Sequence, residues 1–253
     1  MNDKEYIQAV SKINIPPEMK ERILTKSINA NHQSRKENNI MKFKKKIAIV
    51  AVAAAMILGV TAFASSGIIT SWNSSSSSIP NYKSLPSYEQ CVKDAGYAPV
   101  LINSFVSGYT FKDGSLVNNS LTDENGNSVE KFKSFSFRYG KGNDKVTFSA
   151  DKYSSNMKTT GEVIDNIDGI DIYINEYTNK FVPGNYELTE EDKAAQESGE
   201  LVFSFGADDV KICDVKNVLW SDGDIHYTLT QIDGKLSPED LAEMAKEVIM
   251  SDK

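Results

Sequence analysis

The sequence predicts an α+β fold: a curved antiparallel sheet with flanking helices in an outer domain, plus one transmembrane helix and a short helical N-terminal arm. Three observations carry this. An uncharged apolar run, IAIVAVAAAMILGVTAFA, extends from Ile47 to Ala64 directly behind Lys44, Lys45 and Lys46. From Tyr109 onward apolar residues recur at period two, the pattern of half-buried strands. Helical spacing with good caps frames that region, at Ser87–Ala95 and from Ser237 to the last residues. Four segments follow: a basic arm at 1–46, the span at 47–69, a Ser-rich linker at 70–86 and the α+β domain at 87–253.

In the arm, Tyr6, Ile7, Val10 and Ile13 recur at helical spacing, and Pro16-Pro17 stops one helix and can start the next. Met19, Ile23 and Leu24 continue the apolar face. Two amphipathic helices this short cannot build a core alone, so their apolar residues need a partner, the membrane surface or each other.

The run Ile47–Ala64 has 18 residues, about 27 Å of helix against a hydrocarbon core of about 30 Å. A single span has to be helical because lipid satisfies no backbone polar group. Trp72 stands where an interfacial aromatic anchor is expected. Residues 1–46 hold eleven Lys and Arg against five acids, a balance of +6, whereas the whole chain is −7, which leaves −13 beyond the arm. The positive-inside bias then puts the arm in the cytoplasm and the C-terminal domain outside the cell membrane. A second reading is a signal peptide starting near Met41, with Ala62-Phe63-Ala64 as its cleavage site.

After the linker (SWNSSSSSIPNYKSLP, 71–86), Ser87–Ala95 reads as a short helix closed by Gly96. Tyr109–Val117 reads as a strand, and Asp123–Asn127 as a turn. Phe135, Phe137 and Tyr139 alternate, the chain turns at 140–144, and Val146, Phe148 and Ala150 alternate back. Ile164 and Ile167 lead to a turn at Asp168-Gly169, followed by Ile170, Ile172 and Ile174. Thr189–Glu197 is a polar, helix-favouring insert with Thr189 as N-cap. Leu201, Phe203 and Phe205 begin another strand, and Val210–Trp220 and Ile225–Ile232 flank the hairpin turn Ser221–Asp224. Ser237-Pro238-Glu239-Asp240 opens a final helix whose apolar face is Leu241, Met244, Ala245, Val248 and Ile249.

No catalytic signature is present: there is no H-E-x-x-H, no G-x-S-x-G and no paired-cysteine metal motif. His226 is mid-strand and reads as a surface or packing residue. Asp123, Asn125 and Gly126 resemble part of a calcium loop, but the twelfth position is Ser134 where that loop needs a bidentate glutamate. Asp165, Asp168 and Asp171 are explained by turn chemistry around Gly169. Asn73 and Asn118 open glycosylation-type sequons. Catalytic, cofactor-binding and metal residues are therefore assigned as none. Cys91 and Cys213 can form a disulfide on the outer side, or can be two small buried side chains that never meet. The acidity of the outer domain argues against nucleic acid as a partner.

The layout also resembles anti-sigma-factor-like single-pass membrane proteins of Gram-positive bacteria, whose outer domain is of unknown function. The residues that carry the likeness are AVSKINIPPEMKERILTK in the arm, YEQCVKDAGYAPVLINSFVSGYTF, NVLWSDGDIHYTLT with Trp220, and LSPEDLAEMAKEVI at the end. Zinc-type domains of that group carry a histidine with a two-cysteine motif, whereas this arm has His32 and no cysteine. The resemblance implies a non-enzymatic regulator without a cofactor. Its arm would engage a cytoplasmic regulator such as a sigma factor through Tyr6, Ile7, Val10, Ile13, Met19, Ile23 and Leu24. Its outer domain would sense or bind an envelope ligand. The alternative is an anchored or secreted envelope-binding module with no signalling role.

Overall fold

Alternating residues of nine strands give one strongly curled, half-barrel sheet in a computed structural model that describes residues 69–251, apart from 124, 126 and 153–160. The chain divides into two units, Met1–Lys46 and Ile47–Lys253, and every described residue belongs to the second. The arm residues Tyr6 to Leu24 and the run Ile47–Ala64 lie outside the described residues. Among the described residues no helix is long and apolar enough to cross a membrane.

The strands are β1 (Ile69–Ser76), β2 (Thr110–Asp123), β3 (Ser128–Lys141), β4 (Asp144–Asp151), β5 (Glu162–Ile167), β6 (Ile170–Val182), β7 (Val202–Phe205), β8 (Lys211–Asp222) and β9 (Ile225–Ile232). The helices are α1 (Tyr88–Ala95), α2 (Glu190–Ser198) and α3 (Pro238–Ser251). The spatial order is β1-β2-β3-β4-β9-β8-β6-β5, with β7 beside the far half of β6. The α+β class with a curved sheet is what the sequence predicts, but the sheet is mixed: β7 pairs with β6 in parallel. A parallel neighbour needs a crossover. The Thr189–Glu197 insert supplies it as α2, capped by Thr189 and Asp192 in a reciprocal capping box.

The expected boundary between span, linker and domain also moves. Ile69, expected to end the span, opens β1, and the first half of the expected linker is the rest of that edge strand, paired with Val117–Asp123 of β2. Serine-rich composition reads as linker, yet an edge strand needs little beyond backbone pairing. Trp72 belongs to the sheet: its indole N–H donates to Asn119 Oδ1 at 2.9 Å, and its ring meets Phe132 edge-on at 5.5 Å.

Strand alternation places Phe135, Phe137 and Tyr139 of β3, Val146, Phe148 and Ala150 of β4, Tyr227 and Leu229 of β9, Val218 and Trp220 of β8 and Ile172 of β6 on one face. They form the core together with Cys91 of α1 and the predicted apolar face of α3, all buried. Rings stack across strands: Trp220 on Tyr227 at 5.1 Å and Phe148 on Tyr227 at 5.8 Å. Tyrosine hydroxyls at the core margin fasten the irregular 97–109 segment to the sheet. Tyr97 donates to Ala150 O at 2.7 Å, Tyr139 donates to Ile102 O at 2.6 Å, and Tyr227 accepts from Val100 N at 3.1 Å.

Gly114 shows how tightly β2 meets this core. It pairs with Phe137 on one side and exchanges two 2.9 Å backbone bonds with Tyr82 on the other. A Cβ there would lie 2.4 Å from Phe137 Cδ1 and 2.8 Å from its Cε1. The ring is fully buried and has nowhere to retreat. Gly114→Ala is therefore expected to destabilise by about 1–3 kcal/mol through overpacking, read as a lower urea midpoint at unchanged slope.

Candidate functional site

One rim of the sheet gathers the polar groups that the core excludes. There β3 begins, β4 ends, and β8 turns into β9 through a tight two-residue loop in which Gly223 has φ 59. On the face away from the helices, pairing register sets four side chains in a row: Ser134 opposite Asp151, Asp151 opposite His226, and His226 opposite Ser221. Directly opposed Cβ atoms lie about 5 Å apart in such pairs. Ser221 Oγ and His226 Nδ1 are 2.8 Å apart.

The row continues toward the sheet edge as hydrogen bonds. Asn119 Nδ2 donates to Ser134 Oγ at 2.8 Å. Asn119 Oδ1 accepts from Trp72 Nε1 and, at 2.7 Å, from Ser74 Oγ. Ser134 stands directly opposite Asp151 in the β3–β4 register. Asn119, Ser134 and Asp151 are each at most 5% exposed, so this is a buried polar chain running from the edge strand β1 to the centre of the rim. Burying one side of such a chain without the other would leave unsatisfied groups, which is costly.

Asp151 is unusual within it. Burial raises its carboxyl to about 7, only partly offset by the Ser134 hydrogen bond. His226 is shifted the other way: burial disfavours the imidazolium and lowers it, and nearby Asp224 opposes that in part. The two groups therefore favour their neutral forms side by side. Ordinary surface carboxylates nearby behave differently; Asp224 is held low by its 2.5 Å ion pair with Lys152.

Lys152 and Asp224 also line an open cleft of about 590 Å³ at the same rim, with Ala95, Gly96, Tyr97, Glu130, Lys131, Phe132 and Lys133. Lys133 Nζ donates to Asp94 O at 2.8 Å, which satisfies a carbonyl at the end of α1. Tyr97, at the floor of the cleft, is buried and fixed by its hydroxyl.

The other residues singled out from sequence serve local structure. Asp123 Oδ1 accepts from the N–H of Asn125 and Asn127, the expected turn chemistry. Asp165 accepts from Asn166 N, Asp171 accepts from Asn166 Nδ2, and Asp168 has φ 52 in the two-residue turn between β5 and β6. Cys91 and Cys213 are free thiols and form no disulfide. Cys91 lies in the core beneath the helices, while strand alternation points Cys213 to the other face, so the sheet separates them. Burial pushes the Cys91 thiol up to about 11, which keeps it unreactive. Asn73 and Asn118 stand on neighbouring paired strands, both exposed.

No family model, curated protein or solved structure matches the chain. Any functional reading has to come from the residues themselves.

Proposed function

We propose that this chain is a non-enzymatic, single-pass cell-membrane protein of the anti-sigma-factor-like kind. Its outer domain senses or binds an envelope ligand, and its arm engages a cytoplasmic regulator such as a sigma factor. The observation that carries this reading is the uncharged run Ile47–Ala64 between a +6 arm and a −13 remainder. The fold adds a physical rationale. Only Ser65–Ile68 separate the run from β1, which is hydrogen-bonded into the sheet. A tether that short transmits strain between membrane and sheet far better than a flexible 17-residue linker would.

In the arm, Tyr6, Ile7, Val10, Ile13, Met19, Ile23 and Leu24 would be the apolar anchors laid into a partner's groove. Converting Ile7, Val10 and Ile23 to aspartate is expected to abolish co-purification of the cytoplasmic partner while leaving the membrane-fraction yield unchanged. An identical set of partners from the triple variant would refute this role for the arm.

The second reading, a secreted or anchored binding module, has one observation in its favour. Ala62-Phe63-Ala64 lies five residues ahead of Ile69, so cleavage after Ala64 would release all nine strands intact.

A further inference from the structure

We propose that the outer edge of β1 is a self-pairing surface, on which β1 of a second copy of this chain adds as an antiparallel strand. β1 ends the sheet: it pairs with β2 on one side and is the terminal strand of the order. Every second residue of such a strand turns its backbone N–H and C=O away from the sheet, where another strand can bond them. Edges are ordinarily blunted by charge, by shortness or by bulges. The opposite margin follows that rule: β5 carries Glu162 and Asp165, and β7 is four residues long with Asp208 and Asp209 soon after it. β1 does not follow it. It has eight residues, its register shift lies between Ile69 and Ser71, and Ser71–Ser76 pair with β2 without interruption. From Ile47 to Tyr82 the sequence has no charged residue.

The edge is held ready for a partner. Trp72 and Ser74 both bond Asn119, and the Trp72 ring packs against Phe132, so β1 loses little freedom when a further strand arrives. Its composition selects that partner. Asn73 and Ser75 are small and exposed, and they offer no pocket to read the side chains of a foreign peptide. Against a copy of themselves they set amide and hydroxyl groups side by side, which favours pairing. They also bring no like charges together, although the region beyond the arm carries −13. A two-fold axis normal to the sheet continues it from one copy into the other. The regular stretch Ser71–Ser76 is six residues, far fewer than the roughly 20–30 a side of a stable interface, so the contact depends on proximity. That part rests on the proposed membrane anchoring. Only Ser65–Ile68 separate β1 from the apolar run, so two anchored copies carry their edges in one plane at raised effective concentration.

Disulfide cross-linking of the full-length chain in lipid vesicles tests this directly. The variants are Asn73→Cys, Ser74→Cys, Ser75→Cys and Ser76→Cys on β1, with Val163→Cys on the opposite edge strand β5, where Val163 is exposed. The wild type sets the background, because Cys91 and Cys213 are buried. Mild oxidation is expected to give covalent dimer from the β1 variants, strongest at one position and weaker on either side, as antiparallel pairing about a two-fold axis requires. Val163→Cys is expected to give no more dimer than the wild type. Ser75→Glu, which leaves the Ser74–Asn119 bond in place, sets like charges against each other across the axis. It is expected to lower energy transfer between C-terminally labelled copies several-fold. β1 variants that cross-link no better than Val163→Cys, or energy transfer that Ser75→Glu leaves unchanged, would overturn the proposal. Failure of the anchoring itself shows separately, as a protein whose mass begins at Ser65.

Discussion

Replacing Trp220 with alanine is expected to cost about 3–5 kcal/mol of folding stability, the largest effect of any single truncation in the domain. Trp220 is the largest fully buried side chain, 1% exposed. Its ring stacks on Tyr227 at 5.1 Å with 9° between planes, and on Phe148 at 6.0 Å with 21°. It lies on β8, the strand on which α3 packs most extensively. Removing the ring takes away a wide apolar surface, breaks two stacking contacts worth roughly 0.5–1.5 kcal/mol each, and opens a cavity that rigid β neighbours cannot fill. For a domain of this size the melting temperature should drop by on the order of 10 °C. Trp72 is the only other tryptophan, so its fluorescence remains available to follow unfolding of the variant. A cost below about 1 kcal/mol would mean that this stack is not the core that holds α3 to the sheet.

The second large effect is on the pH dependence of stability. In the unfolded chain Asp151 ionises near the ordinary 3.8, whereas in the fold it does so at about 7. Between those values the folded state holds a proton that the unfolded state has released, so stability declines as pH rises through that window. At roughly 1.4 kcal/mol per pH unit the full decline is about 4 kcal/mol, and the dependence on this group is flat above and below. His226 works in the opposite sense. Its folded value is depressed, so its contribution is lost as pH falls below its ordinary 6.5. Asp94, Asp144, Asp224 and Asp233 are lowered by their hydrogen bonds and ion pairs, and their stabilisation disappears only at more acid pH. Denaturant unfolding should therefore show greatest stability at mildly acid pH and a fall toward pH 7. Asp151→Asn, which mimics the neutral acid, should remove that fall. A wild-type profile flat from pH 5 to pH 8 would show that Asp151 carries no such linkage.

Local periodicity made much of the fold legible. The face of α3 was readable because Leu241, Met244, Ala245, Val248 and Ile249 repeat at helical spacing behind a serine–proline start, and all five are buried. The β3–β4 and β8–β9 hairpins were readable because alternating apolar residues flank short turns. Long-range pairing was not. Nothing local announces that β7 lies parallel to β6, since that depends on the path of the chain through α2. Nor does a serine-rich stretch announce an edge strand, because its partner Asn119 is 45 residues or more away.

The candidate site was hidden for the same reason. Ser134, Asp151, His226 and Ser221 share no motif or spacing, and only register brings them together. Asp151 occupies a position of VTFSAD that alternation assigns to the side away from the core, where an acid looks solvated. His226 reads as a surface or packing residue for the same reason, and only its hydrogen bond to Ser221 and its place beside Asp151 give it a further role. The hint available in sequence was Trp72, an aromatic too costly to leave in a linker, which marks the end of the polar chain on β1.

The central claim is that arm, apolar run and outer domain remain one chain in the membrane. The intact mass of the membrane-fraction protein, carrying a C-terminal tag, tests it most directly. The account predicts a mass that includes residues 1–46 and the run Ile47–Ala64. A mass beginning at Ser65 would contradict it: the arm would be discarded, and the function would lie wholly in the sheet domain and its rim.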